Sequence, residues 1–589
     1  MVANISHFLI STTLLIAFFL AHNDATAATP SNEREREKVS QLISQYETKI
    51  QTLGWGQLVD ISWPAVKARS KAAELLLAEA KEIDLTMLPH REQVILRILA
   101  SRLEIFANED DSYYLTFSAT PYRGGIMLAS MPHMLSAQDL SKTDGRESWL
   151  GILSTFSDYI HDLDIKHQEQ KKRGILLPKK SVLEIRELYN SRAAIANQQL
   201  KLAVQTVSTY DPKVVGEFEV RALAVLDTEF IPALNRLVAT LDDEYYELAP
   251  DRGGLWQYPG GPEHYRWLIK RFISEDIDPE VLFERAQGYV DDLEASMAAI
   301  RKEMGFKGSR AEFNRRLWSD PAQRPIDAQD IKDTMLRYTS ETSELLPNWF
   351  GRIPIAPHSA EPIDPGTAES VDRGYFSPPN SMSNVGVYYF KGFDMPSYIY
   401  SDIAHLAAHE LIPGHHFQVS LMMESKTLPR VLREGLSGGF IEAWAEYAAN
   451  LGVEMGVFDT QLERYGILGQ TLSMGATAAV VDIGYNYYGW SFEEAEAYLA
   501  QHCWGPDCVP GSTSKTFNGS VISATDRPGY ILPYHLSYRK ILELRARAEK
   551  ALGENFDIRE FHDAVLEYGG IPMDVLEFHI DHFIAERSL

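Results

Sequence analysis

The stretch DPEVLFERAQGYVDDLEASMAAIRKEMGF, residues 278–306, reads as one long helix. Its Asp-Pro start supplies a capping carboxylate and a ring suited to the first turn, and Gly305 stands where a helix ends. Between them apolar residues recur every three and four positions, the period that lines one helix face. The same spacing runs through residues 34–55, 91–109, 183–207 and 229–249. The pattern is too irregular for a coiled coil and shows no fixed repeat, so these segments are an amphipathic scaffold.

The texture changes near residue 350. IPIAPHSAEPIDPGTAESVDRGYFSPPNSMSN (353–384) is rich in Pro, Gly, Ser and Asp and is expected to be loop. VGVYYFKGF (385–393) has the aromatic and β-branched content of a strand. Helices are expected again at 397–412, 439–451 and 533–551. The fold class is therefore mainly α, a large multi-helix body with a small β-sheet beside the active-site helix. An N-terminal helical region over 28–370 and a C-terminal catalytic region over 371–589 are expected to divide it.

Composition narrows the class of function. With 45% apolar and 23% charged residues the chain can bury a sizeable core. A formal charge of -26 argues against nucleic acid, whose phosphates need clustered Lys and Arg. FLISTTLLIAFFLA (8–21), followed by Ala25-Thr26-Ala27, reads as a signal peptide over 1–27. The run is short for a membrane span, which needs about 20 residues. The protein is thus expected to be exported, periplasmic or secreted, with no further membrane-spanning segment. The chain's two cysteines, Cys503 and Cys508, straddle a Gly-Pro turn and are expected to close a small disulfide loop.

Chemistry concentrates in AHLAAHELIPGHHFQ (404–418), which holds four histidines and a glutamate. It begins like the zinc-protease helix H-E-x-x-H, in which two imidazoles one turn apart reach one ion. Pro413 occupies the place of the second histidine. In an unbroken helix His415 and His416 would lie roughly 9 and 10.5 Å along the axis from His409, too far to share a metal. Proline cannot continue the hydrogen-bond ladder, and glycine tolerates unusual backbone angles. A two-residue Pro413-Gly414 bulge would deliver His415 or His416 to the missing position. His405 and His409, four residues apart, form a further pair, but Leu406 rather than a glutamate follows His405.

A third ligand is expected from GGFIEAWAEYAANLG (438–452), a helix opened by glycines and closed by Gly452. Glu442 and Glu446 share one face of it among apolar neighbours. Burying a carboxylate there is costly unless it is paired or bound to metal. Glu442 is assigned as ligand and Glu446 as the group orienting a histidine. Glu410, beside the first ligand, is the candidate general base.

Together HELIPGHH (409–416) and EAWAEY (442–447) resemble the mainly bacterial family catalogued as domain of unknown function 885, with its pattern H-E-x-x-P-G-H and E-G-W-A-x-Y. The resemblance extends to residues 173–182, 261–287, 375–381 and 385–394, and so covers nearly all of the mature chain. It implies a helical fold with a deep cleft, like zinc peptidases whose third ligand is a glutamate. By that resemblance one Zn2+ would be held by His409, His415 and Glu442, with Glu410 as general base. RPGYILPYHLS (527–537) matches the family's late motif and places Tyr534 on its tyrosine. Ala443, Tyr530 and Ser537 depart from the pattern at positions of Gly, Gln and Gly, and the Tyr530 change puts in doubt any substrate role of that Gln.

The activity expected is zinc-dependent hydrolysis of peptide bonds in short peptides, of carboxypeptidase or oligopeptidase type. Tyr534 would donate to the oxyanion, His416 and Tyr388 would touch substrate, and Arg527 or Arg539 would meet a free carboxylate. Residues 385–392 would pair with an extended peptide by edge addition. Hydrolysis of a non-peptide amide or ester, and a non-catalytic periplasmic binding role, are the alternative readings.

Overall fold

The computed structural model describes residues 30–588 apart from 51–59, 121–130, 133, 208–211, 364–373, 380–382, 394, 435–437, 503, 506–520 and 522. The expected signal peptide over 1–27 and the expected Cys503–Cys508 disulfide lie outside the described residues.

The protein is mainly α-helical. Helix Pro279–Glu303 starts as its sequence requires, with the Asp278 carboxylate accepting from the Glu280 N–H at 3.2 Å. Gly305 follows at φ 74°, a left-handed conformation that relieves the helix end. The glycine signal fails in Gly438–Glu454, which runs through Gly452. A Cβ at Gly452 would lie 2.3 Å from the Phe458 ring, so this glycine serves close packing. The helix is ended instead by Gly456, at φ 82°.

Among the described residues three strands form one small sheet, β1 (His358–Pro362), β2 (Gly374–Ser377) and β3 (Gly386–Phe390), in the order β1-β3-β2. β1 runs parallel to β3 and β2 antiparallel, with Ala360 and Phe376 both opposite Tyr388. β1 and β2 fall within the stretch expected to be loop. Their composition favours turns, but pairing with the aromatic β3 supplies the backbone partners that local preference cannot. β3 is consequently the central strand, both edges taken, and an extended peptide cannot add to it as expected.

Buried apolar side chains gather in two large cores. One is built from helices Trp63–Lys81, His90–Ala107, Ala328–Leu345, Gly438–Glu454 and Met573–Arg587 with the sheet. The other takes Thr143–Lys172, Ile231–Thr240, Gly261–Ile273, Pro279–Glu303 and most of Gln461–Asn486. Each core draws residues from both sides of position 370. Helix Leu532–Leu552 joins them, placing Leu532 and Leu536 in the second core and Ile541 and Leu544 in the first. Fully burying one such side chain contributes about 1.5–3 kcal/mol. Gln461–Asn486 is long and apolar enough to cross a membrane, but 78% of its apolar window is buried inside the protein.

Candidate metal centre

The HELIPGHH segment starts on a helix that changes pitch. Tyr400–Leu406 is α-helical, and Ala407–Leu411 widens into a π-turn, with the Ile412 N–H donating to the Ala407 carbonyl at 3.2 Å. Such turns insert one residue into a helix and favour functional positions. At Ile412 the helix stops, and a second one begins at His415 and runs to Glu424. The expected bulge is therefore a full break between two helices.

Gly414 allows the break to be tight. A Cβ there would lie 1.9 Å from the His409 carbonyl oxygen and 2.4 Å from that of Ala408. Only a residue without a side chain lets the chain turn back against the end of the first helix. The indole N–H of Trp444 donates to the Pro413 carbonyl at 2.9 Å, fastening the break to helix Gly438–Glu454. The rings of His409 and His415 end 4.8 Å apart between centroids, nearly perpendicular.

Glu442 completes a cluster. Its Oε2 lies 3.6 Å from His409 Nε2 and 3.4 Å from His415 Nε2. Neutral or charge-assisted hydrogen bonds would be shorter, near 2.7–3.0 Å. Ligands about 2.1 Å from one tetrahedral ion stand roughly 3.4 Å apart, which is the spacing observed here. Glu442 Oε2 is buried without a hydrogen-bond partner, a costly state for a carboxylate oxygen unless a cation meets it. Two imidazoles and one carboxylate are a donor set suited to zinc. The residues present fit a single divalent ion held by His409, His415 and Glu442.

A second layer holds His409 from behind. Glu446 Oε1 lies 3.1 Å from His409 Nδ1 and 3.2 Å from His405 Nε2, and Thr471 donates to Oε2 at 3.2 Å. Thr471 opens another π-turn, Thr471–Thr477. A carboxylate on the far nitrogen fixes a ligating imidazole's tautomer and direction. His405, His409 and Glu446 also form a compact triad that satisfies metal-ligand spacing. Its contacts, at 3.1 and 3.2 Å, are shorter than the roughly 3.4 Å between ligands of one ion, and Glu446 Oε1, His405 Nε2 and His409 Nδ1 are, like Glu442 Oε2, buried without a hydrogen-bond partner.

The electrostatics follow from burial and charge together. Burial opposes a charge on His409, but Glu442 and Glu446 outweigh it and raise its pKa to about 10. Burial likewise pushes both glutamates up. The histidines outweigh it and hold them well below the usual carboxylate range: His415 and His409 for Glu442, His405 and His409 for Glu446. Glu410 moves the other way, raised chiefly by burial against the pull of His415 and His409. It keeps partial solvent exposure, whereas His409 is 2% exposed and Glu446 not at all.

The remaining candidates are distributed unequally. Tyr534 lies at the centre, its ring stacked on His409 at 6.2 Å and 11°. Arg527 lies 4.2 Å over the ring of Tyr530, a short way from the cluster. His416 points elsewhere: it is fully buried, with Nε2 2.9 Å from the Ala356 carbonyl. Tyr388, 1% exposed on β3, sits with its hydroxyl near Gly374. Arg539 lies over Tyr289 and 4.0 Å from Asp292, on helix Pro279–Glu303. Sequence reasoning took Tyr530 only as a departure from the family's Gln and missed its place at the cluster, where its hydroxyl donates to Glu442 Oε1 at 3.0 Å. Its place four residues before Tyr534, on a Pro-Gly turn, was the available signal.

Fold and site together define a mainly helical protein with a buried His-His-Glu cluster on two helices and a broken helix end. The chain belongs to the family described as "Bacterial protein of unknown function (DUF885)", whose model matches residues 48–580. Two solved structures share the fold. A Colwellia psychrerythraea protein described as a "putative lipoprotein" superposes with a TM-score of 0.80 at 19% identity, covering 94% of this chain and 99% of its own. A Shewanella oneidensis protein, described as a "putative lipoprotein of unknown function", has a TM-score of 0.67 at 15% identity, with the same coverages of 94% and 99%. Comparison with curated proteins finds no match.

Proposed function

We propose that the protein is an exported zinc-dependent peptidase acting on short peptides, with His409, His415 and Glu442 as metal ligands and Glu410 as general base. The observation that carries this reading is the 3.4 and 3.6 Å spacing of two imidazole nitrogens about one partnerless carboxylate oxygen, with a partly exposed glutamate next in the chain. A divalent ion held there supplies Lewis-acid polarisation of a carbonyl and brings the pKa of water toward about 7. Glu410 takes the proton of the attacking water and returns it to the leaving amine. Tyr534, stacked beside His409, would donate its phenol to the oxyanion. Glu446 keeps His409 in one tautomer throughout. Export accords with the apolar run at 8–21 and with the lipoprotein descriptions of the two structural relatives.

The test is elemental analysis of the purified protein with an assay over short peptides and N-acyl amino acids. Glu410→Gln is expected to keep the metal and lose turnover. Turnover equal to wild type refutes the base, and absence of any bound divalent metal refutes the centre. Cleavage confined to N-acyl amino acids would move the substrate away from peptides.

A further inference from the structure

The two oxygens of Glu442 have different surroundings. Oε2 faces the imidazoles of His409 and His415, while Oε1 accepts from the Tyr530 hydroxyl at 3.0 Å. A carboxylate with both oxygens free can turn either one, or both, toward an ion. Here one oxygen is engaged by a phenol.

That phenol is held firmly. Arg527-Pro528-Gly529-Tyr530 is a tight turn closed by the Tyr530 N–H on the Arg527 carbonyl at 3.0 Å. Proline second and a glycine at φ 78° third is the pattern of a type II turn. The Gly529 N–H donates to both oxygens of Asp482, at 2.9 and 3.1 Å. Asp482 is itself buried and accepts from the Tyr265 hydroxyl at 2.6 Å. The Tyr530 ring is fixed on its sides by Phe272, edge-on at 5.9 Å, and by the Arg527 guanidinium at 4.2 Å. A buried carboxylate on one helix thus anchors a turn whose side chain reaches a glutamate on another.

We infer that Tyr530 is a positioning residue that holds Glu442 to ligation through one oxygen, and so sets the coordination number and affinity of the metal. The inference rests on the proposed ion at His409, His415 and Glu442. Freed of the hydroxyl, Oε1 would be a buried carboxylate oxygen without a donor, and rotating it onto the ion would be its nearest compensation.

The experiment compares the metal-free wild type with Tyr530→Phe. Each is titrated with Zn2+ against a chromophoric chelator, and with Co2+ while the visible spectrum is recorded. Removing such an outer hydrogen bond is expected to weaken zinc about 10–100-fold. The Co2+ bands are expected to lose intensity as the coordination number rises, with the metal-free melting temperature little changed. Equal zinc affinity with an unaltered Co2+ spectrum overturns the inference and leaves the metal centre standing. A large fall in metal-free melting temperature also overturns it, since the hydroxyl would then serve the fold. Failure of the wild type itself to bind either ion removes the metal reading and this inference with it.

Discussion

Gly414→Ala tests the geometry on which the centre depends. The added methyl carbon would lie 1.9 Å from the His409 carbonyl oxygen and 2.4 Å from that of Ala408. A carbon and an oxygen in ordinary contact stand about 3.3 Å apart, so the chain must retreat by roughly 1.4 Å. Both obstructing atoms are helix backbone and cannot swing aside. The retreat moves His415, the next residue, away from His409, whereas metal–ligand distances tolerate about 0.2 Å. Zinc affinity is expected to fall at least about 100-fold, or some 2.7 kcal/mol, with a further 1–3 kcal/mol or so lost from the metal-free fold. Chelator competition measures the first, and melting with and without zinc measures both, because an ion bound only by the folded state raises its stability. Gly288→Ala is the control, since a Cβ there meets nothing within 4 Å on an exposed helix position and is expected to gain up to about 1 kcal/mol. Zinc binding by Gly414→Ala within threefold of wild type would show that the backbone approach does not set the ligand spacing.

Two other perturbations address the surrounding layer. Glu446→Gln removes the carboxylate charge that lies against both His405 and His409 and is expected to weaken zinc about 10–100-fold, with the same competition assay as the check and unchanged affinity as the refutation. Asp482, raised to about 7 chiefly by burial against its bonds to Tyr265, Gly529 and Asn486, binds a proton more tightly folded than unfolded. Its effect favours the folded state at acid pH and fades as pH rises from about 4 to 7, at about 1.4 kcal/mol per unit or roughly 4 kcal/mol in all. Asp482→Asn is therefore expected to gain on the wild type as pH rises through that window, in denaturant melts taken at pH 4 to 8, and a constant difference would contradict the assignment.

Much of the helical framework was legible locally. Asp278-Pro279 and Gly305 bracket a helix because a capping carboxylate, a proline φ and a left-handed glycine act within a few residues of themselves. Pro413-Gly414 announced a local opening of the helix for the same reason, a bulge that the fold widens into a full break, and Glu442 and Glu446 stood out as carboxylates in surroundings too apolar for them to lie idle. The sheet was half legible: β3 shows its aromatic content, while β1 and β2 exist because β3 lies between them. Gly452 looked like a terminator, but what it avoids is the Phe458 ring, which comes near only after the chain has turned.

The assignment of donors to acceptors lay beyond local reading. His415 and His416 are neighbours, and the structure turns one toward Glu442 and the other toward the Ala356 carbonyl, 60 residues away. Tyr530 meets Glu442 across 88 residues, and Glu446 divides its oxygens between two imidazoles and Thr471. Residue types and short spacings therefore determined which chemistry this chain can carry and where its helices bend. Which atoms face one another was decided by packing, because contacts between distant segments depend on how two interleaved cores close around them.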